Sequence, residues 1–141
     1  MLSKHPGRCR FPHGHSRTIE VVLASAELDE NDMVCDFKAL KLALQEIADR
    51  FDHALVVNSE DPILGALSAQ PEVRERVVVM PGKDPTTEVL AKYIYDGLAA
   101  LIASGREYKG SDGLVYRLPN RLQLERVRVS ETSSTWAEYA R

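Results

Sequence analysis

The chain has 141 residues, 44% of them apolar, enough for one hydrophobic core without disulfides or other staples. A formal net charge of −3, with acidic and basic residues interspersed, excludes the basic footprint of a nucleic-acid binder and points to a small-molecule partner. Two cysteines, Cys9 and Cys35, make no disulfide framework, and no apolar leader or long apolar span stands out. The expectation is one cytoplasmic domain over residues 1–141 with no membrane partner.

The first feature along the chain is Cys9-Arg10-Phe11-Pro12-His13-Gly14-His15. If the run from His13 is extended, alternate side chains share one face, so both imidazoles can meet one ion, a spacing that suits zinc. A catalytic zinc usually takes three protein ligands and keeps one position open, so a third ligand is wanting here. The histidines lead into a strand over 17–24, where Ile19, Val21 and Leu23 alternate with Thr18, Glu20 and Val22. Cys35 has no partner motif and reads as a small core hydrophobe.

Next, Phe37, Leu40, Leu44, Ile47 and Phe51 recur at helical steps, with Asp36 as N-cap. Short β-branched runs follow at 54–57 and 76–80, separated by a connection with Asp61-Pro62 and Gly65 as turn signals. Asp84-Pro85 predicts a second helix, Asp84 being the N-cap and Pro85 its first residue. Val89, Leu90, Tyr93, Ile94, Leu98, Leu101 and Ile102 supply its apolar face, and Ser104-Gly105 ends it. Residues 106–121 read as a long loop or loose hairpin. A last strand over 122–129 changes apolar phase between Leu124 and Val127, the mark of a β-bulge.

This order of elements predicts an α+β fold, a mainly antiparallel sheet with two helices on one face. Such a layer leaves strand edges open, and oligomerisation covers them by pairing edges between subunits.

Five blocks in order, Cys9-x-x-x-His13-Gly14-His15, Met33-Val34-x-Asp36-Phe37-x-x-Leu40-Lys41, Asp52-His53, Pro85-Thr86-Thr87-Glu88 and Glu131-Thr132, give a pattern that resembles the 6-pyruvoyltetrahydropterin synthase and 6-carboxytetrahydropterin synthase family. The resemblance implies the tunnelling fold, in which homotrimers build a barrel, two trimers stack and active sites lie between subunits. It also implies a first strand ending in a third zinc-ligating histidine ahead of Cys9. That strand would precede Met1, and His5 is the only local substitute.

Carried over block by block, the resemblance implies Zn2+ held by His13 and His15 and catalysis by Cys9 with Asp52 and His53. A cysteine beside a cation can be acidified enough to act as base or nucleophile, and a carboxylate orients an imidazole for proton exchange. The Asp52-His53 pair is expected to reach a neighbouring subunit's zinc site, although a histidine at a helix C-terminus also serves as a favourable charge. Glu131 is the implied pterin anchor, a carboxylate that can accept two hydrogen bonds from a guanidine-like edge. Thr86, Thr87 and Glu88 would complete the pocket, though hydroxyls and carboxylates in a first helical turn also stabilise its free amides.

The implied substrate is 7,8-dihydroneopterin triphosphate. One branch of the family eliminates triphosphate and yields 6-pyruvoyltetrahydropterin; the other also releases acetaldehyde and leaves the 6-carboxylate, on the route to queuosine. The compact chain and the cysteine-histidine spacing resemble prokaryotic members of the second branch, so the resemblance favours the carboxylate product. A catalytically impaired pterin-binding oligomer is the alternative of a different class. Lys4, Arg8 and Arg10 lie near enough in sequence to meet a triphosphate, and solvated surface charge is the better reading of each.

Overall fold

The alternation over 17–24 forms strand β1 (Thr18–Ala24), which pairs antiparallel with β6 (Gln123–Ser130) in a computed structural model describing residues 1–141. In between come α1 (Phe37–Ala48), β2 (Leu55–Asn58), the short helices α2 (Leu64–Ser68) and α3 (Pro71–Arg74), β3 (Val77–Met80), α4 (Thr87–Ser104), β4 (Glu107–Lys109) and β5 (Val115–Arg117). β6 also pairs antiparallel with β7 (Trp136–Ala140), so the main sheet has the order β1-β6-β7. The bulge falls where the apolar phase changes: Val22 faces Arg126 but Leu23 faces Leu124, leaving Glu125 unmatched. The extra residue returns Leu124, Val127 and Val129 to the same inward face.

The 106–121 segment takes the hairpin form of its expectation, β4 pairing with β5 as a two-stranded sheet. The placing of the two β-branched runs needs correction: β2 and β3 pair parallel with each other in a sheet of their own. The connection between β2 and β3 includes α2 and α3, in keeping with the crossover that parallel strands require. β7 was not anticipated: its aromatics alternate, Tyr139 packing against the core while Trp136 lies on the outer face under the Arg128 guanidinium.

Helix α1 begins as expected, with the Asp36 carboxylate accepting from the Lys38 N–H at 2.7 Å. Its buried stripe, however, is Ala39, Ala43 and Ile47, and Phe37 is 78% exposed. Small residues are favoured there because α1 runs close to α4: a Cβ on Gly97 of α4 would meet Ile47 Cδ1 at 3.2 Å. α4 buries Leu90, Ala91, Ile94, Tyr95, Leu98 and Ile102, packs on β6 and β7, and ends at Gly105 in the left-handed conformation. Cys35 lies in the same core, and burial pushes its thiol above the ordinary cysteine value.

The start of α4 also differs from expectation. Thr86, not Asp84, is the N-cap, its hydroxyl accepting from the Val89 N–H at 3.3 Å. Asp84 is instead buried and accepts from the Ser3 hydroxyl at 2.6 Å, the Lys4 N–H at 2.7 Å and the Asn58 amide at 3.0 Å. Its carboxylate thereby anchors the first residues of the chain beside β2 and the entry to α4. No helix is long and apolar enough to cross a membrane.

Candidate functional site

A cavity of about 880 Å³ opens between the N-terminal segment, the end of α1, the start of α4 and the ends of β1 and β6. All nine residues singled out in the sequence line it: Cys9, His13, His15, Asp52, His53, Thr86, Thr87, Glu88 and Glu131. They come from four separate stretches of chain, and the fold gathers them around one cavity. Apolar floor is supplied by Ile19, Leu90, Ile94 and Val129. Such a surface, apolar with a few convergent polar groups, is what a small-molecule site needs.

Cys9 sits in a single 3-10 turn over Arg8–Arg10, and the chain from Phe11 runs unpaired into β1. The two imidazoles are neighbours even so, their ring centroids 5.0 Å apart and their planes nearly perpendicular. His13 Nδ1 lies 2.7 Å from the Phe11 carbonyl oxygen. An N–H at that nitrogen donates to the carbonyl and leaves Nε2 as the lone-pair donor for a cation. The donor set therefore fits a partial, two-imidazole site. No group of three His, Cys, Asp or Glu side chains converges to hold an ion. His5 does not line the cavity, and its Nδ1 accepts from the Gly7 N–H at 2.9 Å.

Glu131 follows β6 directly, its own N–H bonded to the Thr135 carbonyl in the tight connection to β7. The Thr87 hydroxyl donates to its Oε1 at 2.5 Å, Arg17 Nη2 lies 2.8 Å from the same oxygen, and His15 Nε2 is 4.0 Å away. Burial pushes the Glu131 carboxyl up, but the Thr87 and Arg17 contacts outweigh it and hold the group below its ordinary value. Arg17, which sequence reasoning took for an ordinary strand residue, is the only lysine or arginine lining the cavity, against the carboxylates of Asp49, Asp52, Glu88 and Glu131.

Asp52 and His53 stand on the rim, past the end of α1. His53 Nδ1 is 3.0 Å from Asp52 Oδ1, both side chains are largely exposed, and His53 holds a φ of +50°. A left-handed backbone at a non-glycine residue is uncommon, and here it sets the imidazole beside its carboxylate at the cavity edge. Thr86 caps α4 and Glu88 occupies its first turn, so both have structural roles alongside their position on the wall. Lys4, Arg8 and Arg10 stay outside the cavity; Lys4 donates to the Gly82 carbonyl, and Arg10 lies over the Phe11 ring.

The family model described as 6-pyruvoyl tetrahydropterin synthase matches residues 1–141. A 6-carboxy-5,6,7,8-tetrahydropterin synthase from Aquifex aeolicus is 31% identical over 137 residues, covering 96% of this chain and 78% of the relative. One of the same name from Bacillus subtilis is 28% identical over 133 residues, covering 94% and 70%. Among solved structures, an uncharacterized protein from Wolinella succinogenes aligns with a TM-score of 0.72 at 22% identity, over 94% of this chain and 80% of that one. The 6-pyruvoyl tetrahydropterin synthase of Plasmodium vivax aligns with a TM-score of 0.61 at 20% identity, over 92% and 80%.

Proposed function

Because the chain belongs to the 6-pyruvoyl tetrahydropterin synthase family, we propose that it converts 7,8-dihydroneopterin triphosphate, with water, to 6-carboxy-5,6,7,8-tetrahydropterin, acetaldehyde and triphosphate. The observation that carries this reading is the single cavity lined by all nine residues. The names of the Aquifex and Bacillus relatives support the carboxylate-forming branch.

In this proposal Glu131, held ionised, takes an N–H of the pterin ring, and Thr86, Thr87 and Glu88 shape the pocket around it. With four carboxylates to one guanidinium on the wall, the cavity suits the heterocycle better than the triphosphate, which points outward. Cys9 takes or returns a proton at the side-chain carbons next to the ring. His53, oriented by Asp52, exchanges a second proton from the rim. His13 and His15 would hold a zinc ion, which when bound acidifies the side-chain hydroxyls and stabilises enolate-like charge.

Assembly belongs to the same proposal. β1 and β7 leave the outer edges of the main sheet unpaired, and Phe11, Phe37, Leu114 and Trp136 are exposed. A homotrimer or dimer of trimers with the tunnelling fold would pair those edges and close the sheets into a barrel. The exposed Asp52-His53 pair would then also be free to serve a neighbouring subunit.

Incubation of purified protein with 7,8-dihydroneopterin triphosphate, followed by product analysis, tests the reading. Acetaldehyde with the 6-carboxylate supports it. A pyruvoyl product with the side chain retained supports the 6-pyruvoyl branch, whose name the family model carries. Pterin bound without turnover supports a binding module, the alternative favoured by the absence of a converging third metal ligand.

A further inference from the structure

We propose that Arg17 is a positioning residue of this pocket, holding the Glu131 carboxylate in one orientation beside Thr87, ready for a ligand's N–H. This inference rests on the pterin reading and adds to it the residue that sets how the anchor is presented.

Three groups from three elements close a ring. Arg17, immediately before β1, donates from Nη1 to Thr87 Oγ1 at 2.9 Å and places Nη2 2.8 Å from Glu131 Oε1. Thr87, the first residue of α4, passes its own hydroxyl proton to the same Oε1 at 2.5 Å. Oε1 is thereby held by the Thr87 hydrogen bond and the Arg17 ion pair together. Oε2 has no partner within the chain and is not sealed from solvent.

The guanidinium is planar and its two donors are set in a fixed fork, so it fixes Thr87 and Glu131 relative to each other as a lysine could not. Turning the carboxylate away would lose the Thr87 hydrogen bond and the Arg17 ion pair together. A ligand's N–H therefore meets a carboxylate whose orientation is set before it arrives, which spares part of the ordering cost of binding.

The test is equilibrium titration of the full chain with 7,8-dihydroneopterin, which lacks the phosphates, for wild type, Arg17→Gln, Arg17→Lys, Glu131→Gln and the Arg17→Gln/Glu131→Gln double variant. Arg17→Gln should weaken binding on the order of tenfold, and Arg17→Lys should fall between it and wild type. In the Glu131→Gln background, Arg17→Gln should add less than about a twofold loss, because it acts through that carboxylate. Arg17→Lys, which keeps the charge, carries the test if Arg17→Gln does not fold. Variants that bind as tightly as wild type or tighter, or losses that multiply in the double variant, overturn the inference while leaving the pterin reading intact. A wild-type chain that does not bind 7,8-dihydroneopterin overturns the pterin reading and this inference with it.

Discussion

The hydroxyl of Thr87 donates to Oε1 of Glu131 at 2.5 Å, tying the first residue of α4 to the residue that follows β6. The bond makes Thr87 and Glu131 one recognition unit although they are far apart in sequence. Glu131→Gln replaces a charged acceptor by a neutral amide and also leaves the Arg17 guanidinium without its counter-charge. Pterin affinity should fall by about 1.5–3 kcal/mol, the worth of a hydrogen bond to a charged group. Thr87→Val leaves the carboxylate charged, removes its neutral donor and the acceptor of Arg17 Nη1, and should cost about 1 kcal/mol. Calorimetric titration of both variants with 7,8-dihydroneopterin checks the order; equal affinities for Glu131→Gln and wild type would remove Glu131 from the pocket.

Asp84 predicts a pH dependence of stability. Burial pushes its carboxyl up, but the Ser3 hydroxyl, the Lys4 N–H and the Asn58 amide outweigh this, and the folded-state value lies below that of the unfolded chain. The unfolded state therefore binds the proton more readily. The stabilisation is complete above the unfolded value, about 3.9 for an aspartate, and is lost as pH falls through the depressed folded value. Asp84→Asn, which leaves donors without their charged acceptor, should destabilise by about 1–3 kcal/mol at neutral pH. Denaturant titrations at pH 7 and pH 3 should show the gap between wild type and Asp84→Asn narrowing in acid; a constant gap would mean that the carboxylate is not protonated more easily on unfolding.

Gly97 is a packing prediction. Alanine there gains helix propensity, and its Cβ would press on the flexible end of Ile47 at 3.2 Å, so the two effects nearly cancel. Valine adds two further carbons against the same contact and should cost about 1–3 kcal/mol. Thermal melts of Gly97→Ala and Gly97→Val read the difference directly.

What the amino-acid order revealed depended on the range of the interaction. The β1 alternation, the Asp36 cap, the Gly105 stop and the β6 bulge are local patterns, and each appears where the sequence places it. Asp84 misled because its local context is that of a cap, while its partners Ser3 and Lys4 lie about eighty residues away. The β-branched runs that became β2 and β3 name no partner strand, so their parallel pairing outside the main sheet was not legible. β7 follows a polar turn and spans only five residues. The nine cavity residues were found by motif order. Arg17 was missed because an arginine at the head of a strand looks like surface charge until Thr87 and Glu131 are seen beside it.

The sharpest separation of roles is between Cys9 and His13, both on the cavity wall. Cys9 makes no side-chain hydrogen bond and contributes its backbone carbonyl to the Leu2 N–H, so Cys9→Ala leaves the local framework in place. If its sulfur moves the proton, that variant should lose about 10²- to 10⁴-fold in turnover, the range for a general acid or base, with zinc content and oligomeric state unchanged. His13 differs because its Nδ1 contact with the Phe11 carbonyl orients the ring. His13→Ala removes one of two neighbouring imidazoles and should lower zinc content and turnover together, since metal affinity depends on the number of preorganised ligands. Metal analysis, size-exclusion chromatography and single-turnover product formation on both variants distinguish the two outcomes. Normal turnover by Cys9→Ala would take the proton-transfer role from Cys9, and unchanged zinc content in His13→Ala would take the metal from His13.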